Sequence, residues 1–145
     1  MGTSGYVQAY RDGTIEAVGR GVVSSAPHAG REDAVIFSAD FEKNVVAMTL
    51  AYAQVQAKLG FGPPLAILVS LLDAGNARVD LGDWLEVPRV GRPCILFDEV
   101  VLEAVPADEQ TIAQQLRPIF DQLANAGGRP RSRNFTASGE WQPKA

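Results

Sequence analysis

The stretch "LAILVSLL" at Leu65–Leu72 is the longest apolar run in the chain, and it has about the length of one buried strand. Because almost every side chain in it is apolar, a strand here would need cover on both of its faces. We therefore predict that Leu65–Leu72 lies in the middle of a β-sheet. A helix would cover one face, and a helix or a further layer would cover the other.

A long amphipathic helix is predicted before this run, over residues 41–59. Apolar residues recur there at steps of three and four, as one face of a helix requires, and Asp40 is placed to cap the first turn. The predicted buried stripe consists of Phe41, Val45, Met48, Tyr52, Val55 and Leu59, widened by Val46, Leu50, Ala53 and Ala57. Gly60 and the pair Pro63-Pro64 then end the helix and deliver the chain to the apolar run.

Further strands are predicted after the apolar run. Arg78–Leu81 alternates polar and apolar residues, as expected of a returning strand. Ile95–Phe97 and Val100–Val105 indicate one interrupted strand or two short ones.

A second helix is predicted over residues 108–126, with Asp108 as its cap and one apolar side. Pro118 falls inside this helix, so we expect a kink there or two helical pieces. The sequence "NAGG" then ends the helix.

The opening segment "YVQAYRDGTIEAVGRG", Tyr6–Gly21, is typical of a β-hairpin. Two strand-like runs flank Asp12-Gly13, a pair that suits a two-residue turn with positive φ angles. A phosphate-binding loop is not expected, because no helix follows the glycines at 19 and 21 to hold the anion.

These elements predict a single α+β domain over residues 6–141. Its core would be a mainly antiparallel sheet of about five to seven strands, packed against two main helices at 41–59 and 108–126. Residues 1–5 are predicted to be a tag or a disordered start, and residues 142–145 a tail.

Two long surface loops are predicted from their turn-forming and charged residues, at 24–33 and at 82–93. Trp84 and Leu85 would anchor the second loop to the domain.

Composition limits the classes of function. A chain of 145 residues fits one domain, and 13 basic against 17 acidic residues give a net charge of −4. This charge has the wrong sign for a broad nucleic-acid-binding face, although it is compatible with a small local basic patch. No apolar stretch reaches the roughly 18 residues of a membrane helix, so we expect no membrane contact.

Cys94 is the only cysteine and cannot form an internal disulfide, so the expected compartment is the cytoplasm. We predict a buried structural thiol, with a reactive thiol as the alternative.

The strongest candidate for a binding site is the segment at 129–141. Arginines beside aromatic residues can clamp phosphates and stack on bases. The residues selected for partner or nucleic-acid binding are Arg129, Arg131, Arg133, Asn134, Phe135 and Trp141. The favoured interpretation is nevertheless structural: the arginines are solvated or paired with surface carboxylates, and Phe135 and Trp141 fasten the tail to the core, with binding as the alternative.

Catalytic groups are sparse in the sequence. His28 is the only histidine and is predicted to be a solvated loop residue. Asp98, Glu99 and Glu103 could be imagined as a metal cluster, but alternation along a strand places Asp98 on the opposite face from the two glutamates. We therefore predict no catalytic residue, no cofactor and no metal site, with an enzyme that uses these groups as the least favoured hypothesis.

Four pieces of the chain together resemble a known family: "YVQAYRDGTIEAV", "PPLAILVSLLDAGNARV", "LRPIFDQLANAGG" and "PRSRNFTASGEW". They are similar to the C-terminal region of bacterial Schlafen AlbA-type proteins, which are described as ATP-binding or DNA-binding. The resemblance spans Tyr6–Trp141. It implies that nucleic-acid or nucleotide binding belongs to a separate N-terminal AlbA-like domain, and that no catalytic motif carries over to this chain.

The predicted function is accordingly a non-catalytic accessory or interaction module of such a protein. It would bind a protein partner or a second copy of itself, through the loops at 24–33 and 82–93 and the segment at 129–141. The alternative is direct binding of nucleic acid or a nucleotide through the arginine-rich segment.

Overall fold

The computed structural model describes residues 5–28, 31–82 and 88–144, and the side chains of residues 26–28, 31 and 32 lie outside this description. Its elements, in chain order, are β1 (Tyr6–Ala9), β2 (Ile15–Val18), β3 (Val23–His28), β4 (Arg31–Phe37), α1 (Ser38–Lys58), β5 (Leu65–Ile67), β6 (Ser70–Leu72), β7 (Arg78–Asp80), β8 (Cys94–Leu96), β9 (Val100–Leu102) and α2 (Glu109–Ala126).

The predicted α+β class is confirmed, and the two helices pack against each other. The strands do not form one sheet, however. Within the described residues they form four small sheets, β1-β2, β3-β4-β7, β5-β9 and β6-β8, in which only the β4-β7 pair is parallel.

The apolar run Leu65–Leu72 is divided into β5 and β6, which pair with β9 and β8 to form an antiparallel ribbon. Leu65 and Leu71 point into the core, whereas Leu68 and Leu72 are 75% and 64% exposed. The prediction of a central strand covered on both faces is therefore wrong for the described part of the chain. One face of the ribbon is buried and the other is open.

The core lies between the helices and the inner faces of the strands. The Phe41 ring on α1 lies 5.6 Å from that of Phe97 and 6.4 Å from that of Phe120 on α2, measured between centroids. Val46 and Leu116, one from each helix, are fully buried. The burial of large apolar side chains from both helices stabilises the domain.

The position of α1 differs from the prediction, and its buried face agrees with the prediction only in part, at Phe41, Val46 and Ala53. The helix begins at Ser38, and Phe37 occupies the cap position without a side-chain hydrogen bond, so Asp40 lies in the first turn and is not the cap. The fully buried side of the helix is formed by Ser38, Phe41, Glu42, Val46, Thr49 and Ala53. Met48, Val55 and Leu59 are exposed, because polar Glu42 and Thr49 take inward positions that a hydrophobicity pattern cannot indicate.

The second helix matches its predicted span and cap. The Asp108 carboxylate accepts a hydrogen bond from the Thr111 N–H at 2.7 Å, which satisfies one of the free donors of the first turn. The prediction for Pro118 gave two outcomes, a kink or two helical pieces. The helix is one continuous element of 18 residues that contains Pro118, so the prediction of two pieces is wrong.

The opening hairpin is confirmed, but its turn is longer than predicted. Tyr10 and Thr14 still pair, with Tyr10 N–H donating to the Thr14 carbonyl at 2.8 Å, so three residues form the tip. Only Gly13 has a positive φ there, at 90°. This is the arrangement of a three-residue hairpin loop in which glycine takes the left-handed position.

The predicted loop at 24–33 is mostly a second hairpin, because β3 and β4 pair in register from Val23↔Ile36 to His28↔Arg31. Its serines and proline have little strand preference of their own. Pairing with β4, which is itself held by β7, overrides that preference. Pro27 is tolerated because β3 is the edge strand of this sheet.

Asp33 on β4 links this hairpin to β7 and to Arg89, which follows β7 in the chain. Its carboxylate accepts hydrogen bonds from Arg78 at 2.9 Å and from Arg89 at 2.6 Å. The two guanidinium groups hold the pKa of Asp33 below its ordinary value. Arg89 lies in the predicted loop at 82–93, of which residues 83–87, with Trp84 and Leu85, lie outside the described residues.

Cys94 is a free thiol that is half-buried, so the prediction of a buried thiol was wrong. It stands on the open side of the ribbon, opposite Leu72. No helix among the described residues is both long and apolar enough to cross a membrane.

Candidate anion-binding site

The C-terminal segment (residues 129–144) begins directly at the end of α2. Gly128 takes a positive φ of 77°, the Gly128 N–H donates to Asn125 and the Arg129 N–H donates to Ala124. This pair of hydrogen bonds is a Schellman motif, which reverses the chain at the helix end. The reversal sends the segment back across the start of α1.

A cavity of about 660 Å³ lies where the C-terminal segment passes the start of α1 and the end of β7. Among the described residues, four cationic side chains and two carboxylates line it. They are Arg129, Arg131, Arg133, Lys144, Asp40 and Asp80. The cations outnumber the carboxylates although the whole chain carries a net charge of −4, so positive charge is concentrated here.

The floor of the cavity includes the first turn of α1, through Ser38, Ala39 and Asp40. The helix dipole places partial positive charge at this end, and the first backbone N–H groups have no intrahelical acceptors. No side chain at the cap position occupies them. A helix end of this kind favours an anion beside it.

Glu42, one turn further along α1, fastens the C-terminal segment. It is 1% exposed, and its carboxyl group accepts hydrogen bonds from Ser132 Oγ at 2.6 Å and from Trp141 Nε1 at 2.9 Å. Burial raises the pKa of Glu42, and the hydrogen bonds from these two residues and from Asn134 oppose that rise. The arginines are therefore carried by a segment that is fixed at its buried positions.

The two aromatic residues selected from the sequence pack against the domain. The Phe135 ring lies 6.4 Å from the Phe120 ring and 4.8 Å below the Arg117 guanidinium. Trp141 is 5% exposed, and its backbone exchanges hydrogen bonds with the Gln110 amide. Trp141 presents no open face on which a base could stack, and the Phe135 ring, which also lines the cavity, has the Arg117 guanidinium over one face.

Asn134 lines the cavity and is 6% exposed. Its side-chain oxygen accepts a hydrogen bond from the Lys144 backbone at 3.4 Å. Its amide nitrogen lies beside the Glu42 carboxyl group, whose pKa it helps to lower, so this donor is directed at the buried carboxyl group.

The remaining candidates are not brought together. The side chain of His28 lies outside the described residues. Asp98 exchanges hydrogen bonds with Gln122 on α2, and Glu99 and Glu103 are exposed. No group of three metal-ligating side chains occurs among the residues described.

Comparisons with protein-family models, with curated proteins and with solved structures give no match. The resemblance to Schlafen AlbA-type proteins therefore stays a prediction.

Sequence reasoning selected the arginines but missed three other parts of the site. Lys144 was assigned to a tail, no role was predicted for Glu42, and the start of α1 was placed three residues too late. Only the start of the helix had a local signal, in the polar residues Ser38 and Asp40 that follow Phe37.

Proposed function

We propose that the chain is a non-catalytic accessory module that binds nucleic acid or a nucleotide through the arginine-lined cavity. The observation that carries this proposal is the placement of Arg129, Arg131 and Arg133 with Lys144 around one cavity at the start of α1. Guanidinium groups bind phosphate oxygens through paired hydrogen bonds, and the helix end adds a favourable field. The net negative charge of the chain restricts such binding to this place.

Replacing Arg129, Arg131 and Arg133 together by alanine should abolish binding of a labelled single-stranded oligonucleotide to the purified chain. If the wild type neutralises three phosphates, its association constant should fall about 20-fold between 50 and 200 mM salt. Fluorescence anisotropy titrations at both salt concentrations measure the effect.

Arg20→Ala removes one exposed arginine far along the chain from the cavity and serves as the control. It should leave both the affinity and the salt dependence unchanged. Circular dichroism should show that the triple variant is folded. An equal loss of binding in the Arg20 variant, or wild-type affinity in the triple variant, would exclude the cavity as the binding site.

A second candidate function, self-association, is favoured by the open face of the β5-β9 and β6-β8 ribbon. Leu68, Leu72 and Leu96 are 64–75% exposed there, and Val101 extends the same face. A strand that is apolar on both sides is expected to be covered on both sides. A second copy of the chain offers the same apolar face and the same strand edges, which no described strand pairs, so a two-fold dimer would cover both at once.

Under this second candidate, Leu72→Lys combined with Leu96→Lys should convert a dimer into a monomer. Light scattering should give the wild type twice the mass of one chain, which is 15.5 kDa. The variant should have the mass of one chain. Leu59→Lys at the end of α1 is the matched control, because Leu59 is 63% exposed and lies on another surface. A monomeric wild type at every concentration would rule out self-association through this face.

A further inference from the structure

We propose that the arginine-lined cavity recognises the terminal phosphate of a strand or nucleotide, in preference to the phosphodiesters within a strand. This inference rests on the proposed function and names the chemical group that the same site would hold. It follows from the shape of the site and from its charge.

The shape of the site favours an end over a continuous strand. Proteins that track a strand use an extended basic groove with aromatic faces on which bases stack. Here the cations surround one cavity of about 660 Å³, Trp141 is buried in the domain, and the Phe135 ring at the cavity has the Arg117 guanidinium over one face. A terminal phosphate can enter such a cavity from one side, whereas an internal phosphodiester is attached to a sugar on both sides.

The charge of the site favours a dianion. A terminal phosphate carries about −1.5 to −2 charges at neutral pH and has three strong acceptor oxygens, whereas a phosphodiester carries one charge. The carboxylates of Asp40 and Asp80 also line the cavity and repel any anion. A terminal phosphate is attracted more strongly than a phosphodiester by the four cations and by the start of α1. This attraction offsets the repulsion from the two carboxylates.

The test compares two oligonucleotides of one sequence, labelled at the 3′ end, that carry either a 5′-phosphate or a 5′-hydroxyl group. The full chain should bind the phosphorylated strand at least about tenfold more tightly, the usual size of a charge-assisted hydrogen-bond contribution. Arg131→Ala should remove this preference, and Arg131→Lys should restore part of it because the charge remains but the paired hydrogen bonds do not. Arg20→Ala should keep the preference.

A mononucleotide with a 5′-phosphate and its nucleoside are added as competitors to identify the source of the phosphate. Competition by the mononucleotide alone would show that a free nucleotide suffices, and its failure to compete would assign the site to strand ends. Equal affinity for the two oligonucleotides would overturn the terminal-phosphate inference while leaving nucleic-acid binding intact. Absence of binding to either strand would overturn both proposals.

Discussion

Phe120→Ala is expected to lower the free energy of unfolding by about 3–5 kcal/mol, the usual cost of removing a buried phenyl group. Phe120 is 1% exposed on α2, and its ring lies 6.4 Å from the rings of Phe41 on α1 and Phe135 in the C-terminal segment. The substitution would leave a cavity at the point where three parts of the chain meet. Chemical denaturation monitored by circular dichroism measures the change.

The matched control for this substitution is Gln115→Ala, on the exposed side of the same helix. It should change the free energy of unfolding by less than about 0.5 kcal/mol, because the side chain is exposed and alanine is a strong helix former. Phe120→Leu should fall between the two, since it fills part of the cavity. A loss of less than about 1 kcal/mol for Phe120→Ala would mean that α1 and α2 do not share a tightly packed core.

The part of the fold that could be predicted well is the part whose causes are local. The second helix has a cap residue, an apolar side with a period near 3.6 and a glycine pair at its end, and its span was predicted correctly. The opening hairpin is likewise determined by a short turn between two strand-like runs. Each of these signals acts within a few residues.

The first helix shows why hydrophobic periodicity predicts a buried face only in part: Phe41, Val46 and Ala53 are buried as predicted, but Met48, Val55 and Leu59 are not. Glu42 points inward because it has hydrogen-bond donors 90 and 99 residues away, in Ser132 and Trp141. The apolar residues Met48, Val55 and Leu59 are consequently turned toward solvent. A buried carboxyl group with distant partners has no signature in its neighbouring sequence.

The strand pairing could not be predicted for a similar reason. The hairpin of β3 and β4 depends on the parallel contact of β4 with β7, which brings Val35 opposite Arg78 across a long separation in sequence. Local composition around Ser24 and Pro27 instead indicates a loop. The apolar run Leu65–Leu72 correctly indicated a strand region, but it could not show that one face would remain open.

The sequence was enough to predict which side chains of the candidate site could bind a ligand. It was not enough to predict how those side chains are arranged. Three alternating arginines drew attention to the C-terminal segment. Their value as a site depends on the Schellman turn at Gly128 and on the start of α1, which together create the cavity. These features depend on how distant elements pack, so the site could be assembled only from the structure.

Glu42→Ala is expected to lower the free energy of unfolding by about 3 kcal/mol or more at neutral pH. Ser132 Oγ and Trp141 Nε1 would both lose their acceptor inside the protein, and each unsatisfied donor costs about 1–3 kcal/mol. The C-terminal segment would also lose its attachment to α1, so oligonucleotide binding at the cavity should weaken in parallel. Chemical denaturation and anisotropy titration of the same variant measure the two effects.

Trp141→Phe is the control for packing, because it removes one donor and retains most of the ring. It should cost less than Glu42→Ala, since no buried donor is left without an acceptor. A cost equal to that of Glu42→Ala would mean that the indole ring, rather than the carboxyl group, holds the segment.

The pH dependence of the same variants separates the charge of Glu42 from its packing. Burial raises the pKa of Glu42 above its ordinary value of 4.5, so the folded chain binds this proton more tightly than the unfolded chain. The resulting stability is fully present below about pH 4.5 and is lost as the pH rises through the folded pKa. Glu42→Gln cannot titrate, so the wild-type advantage over this variant should decline across that interval.

The aspartates with lowered pKa values act in the opposite direction, because their contribution is lost as the pH falls below 3.8 toward their folded pKa values. Asp12, Asp33 and Asp108 are present in both proteins, so their effects cancel in the comparison between wild type and Glu42→Gln. Denaturation curves at a series of pH values therefore isolate Glu42. Parallel stability curves for the two proteins would show that Glu42 titrates alike in the folded and unfolded chains, and that burial does not disfavour its charge.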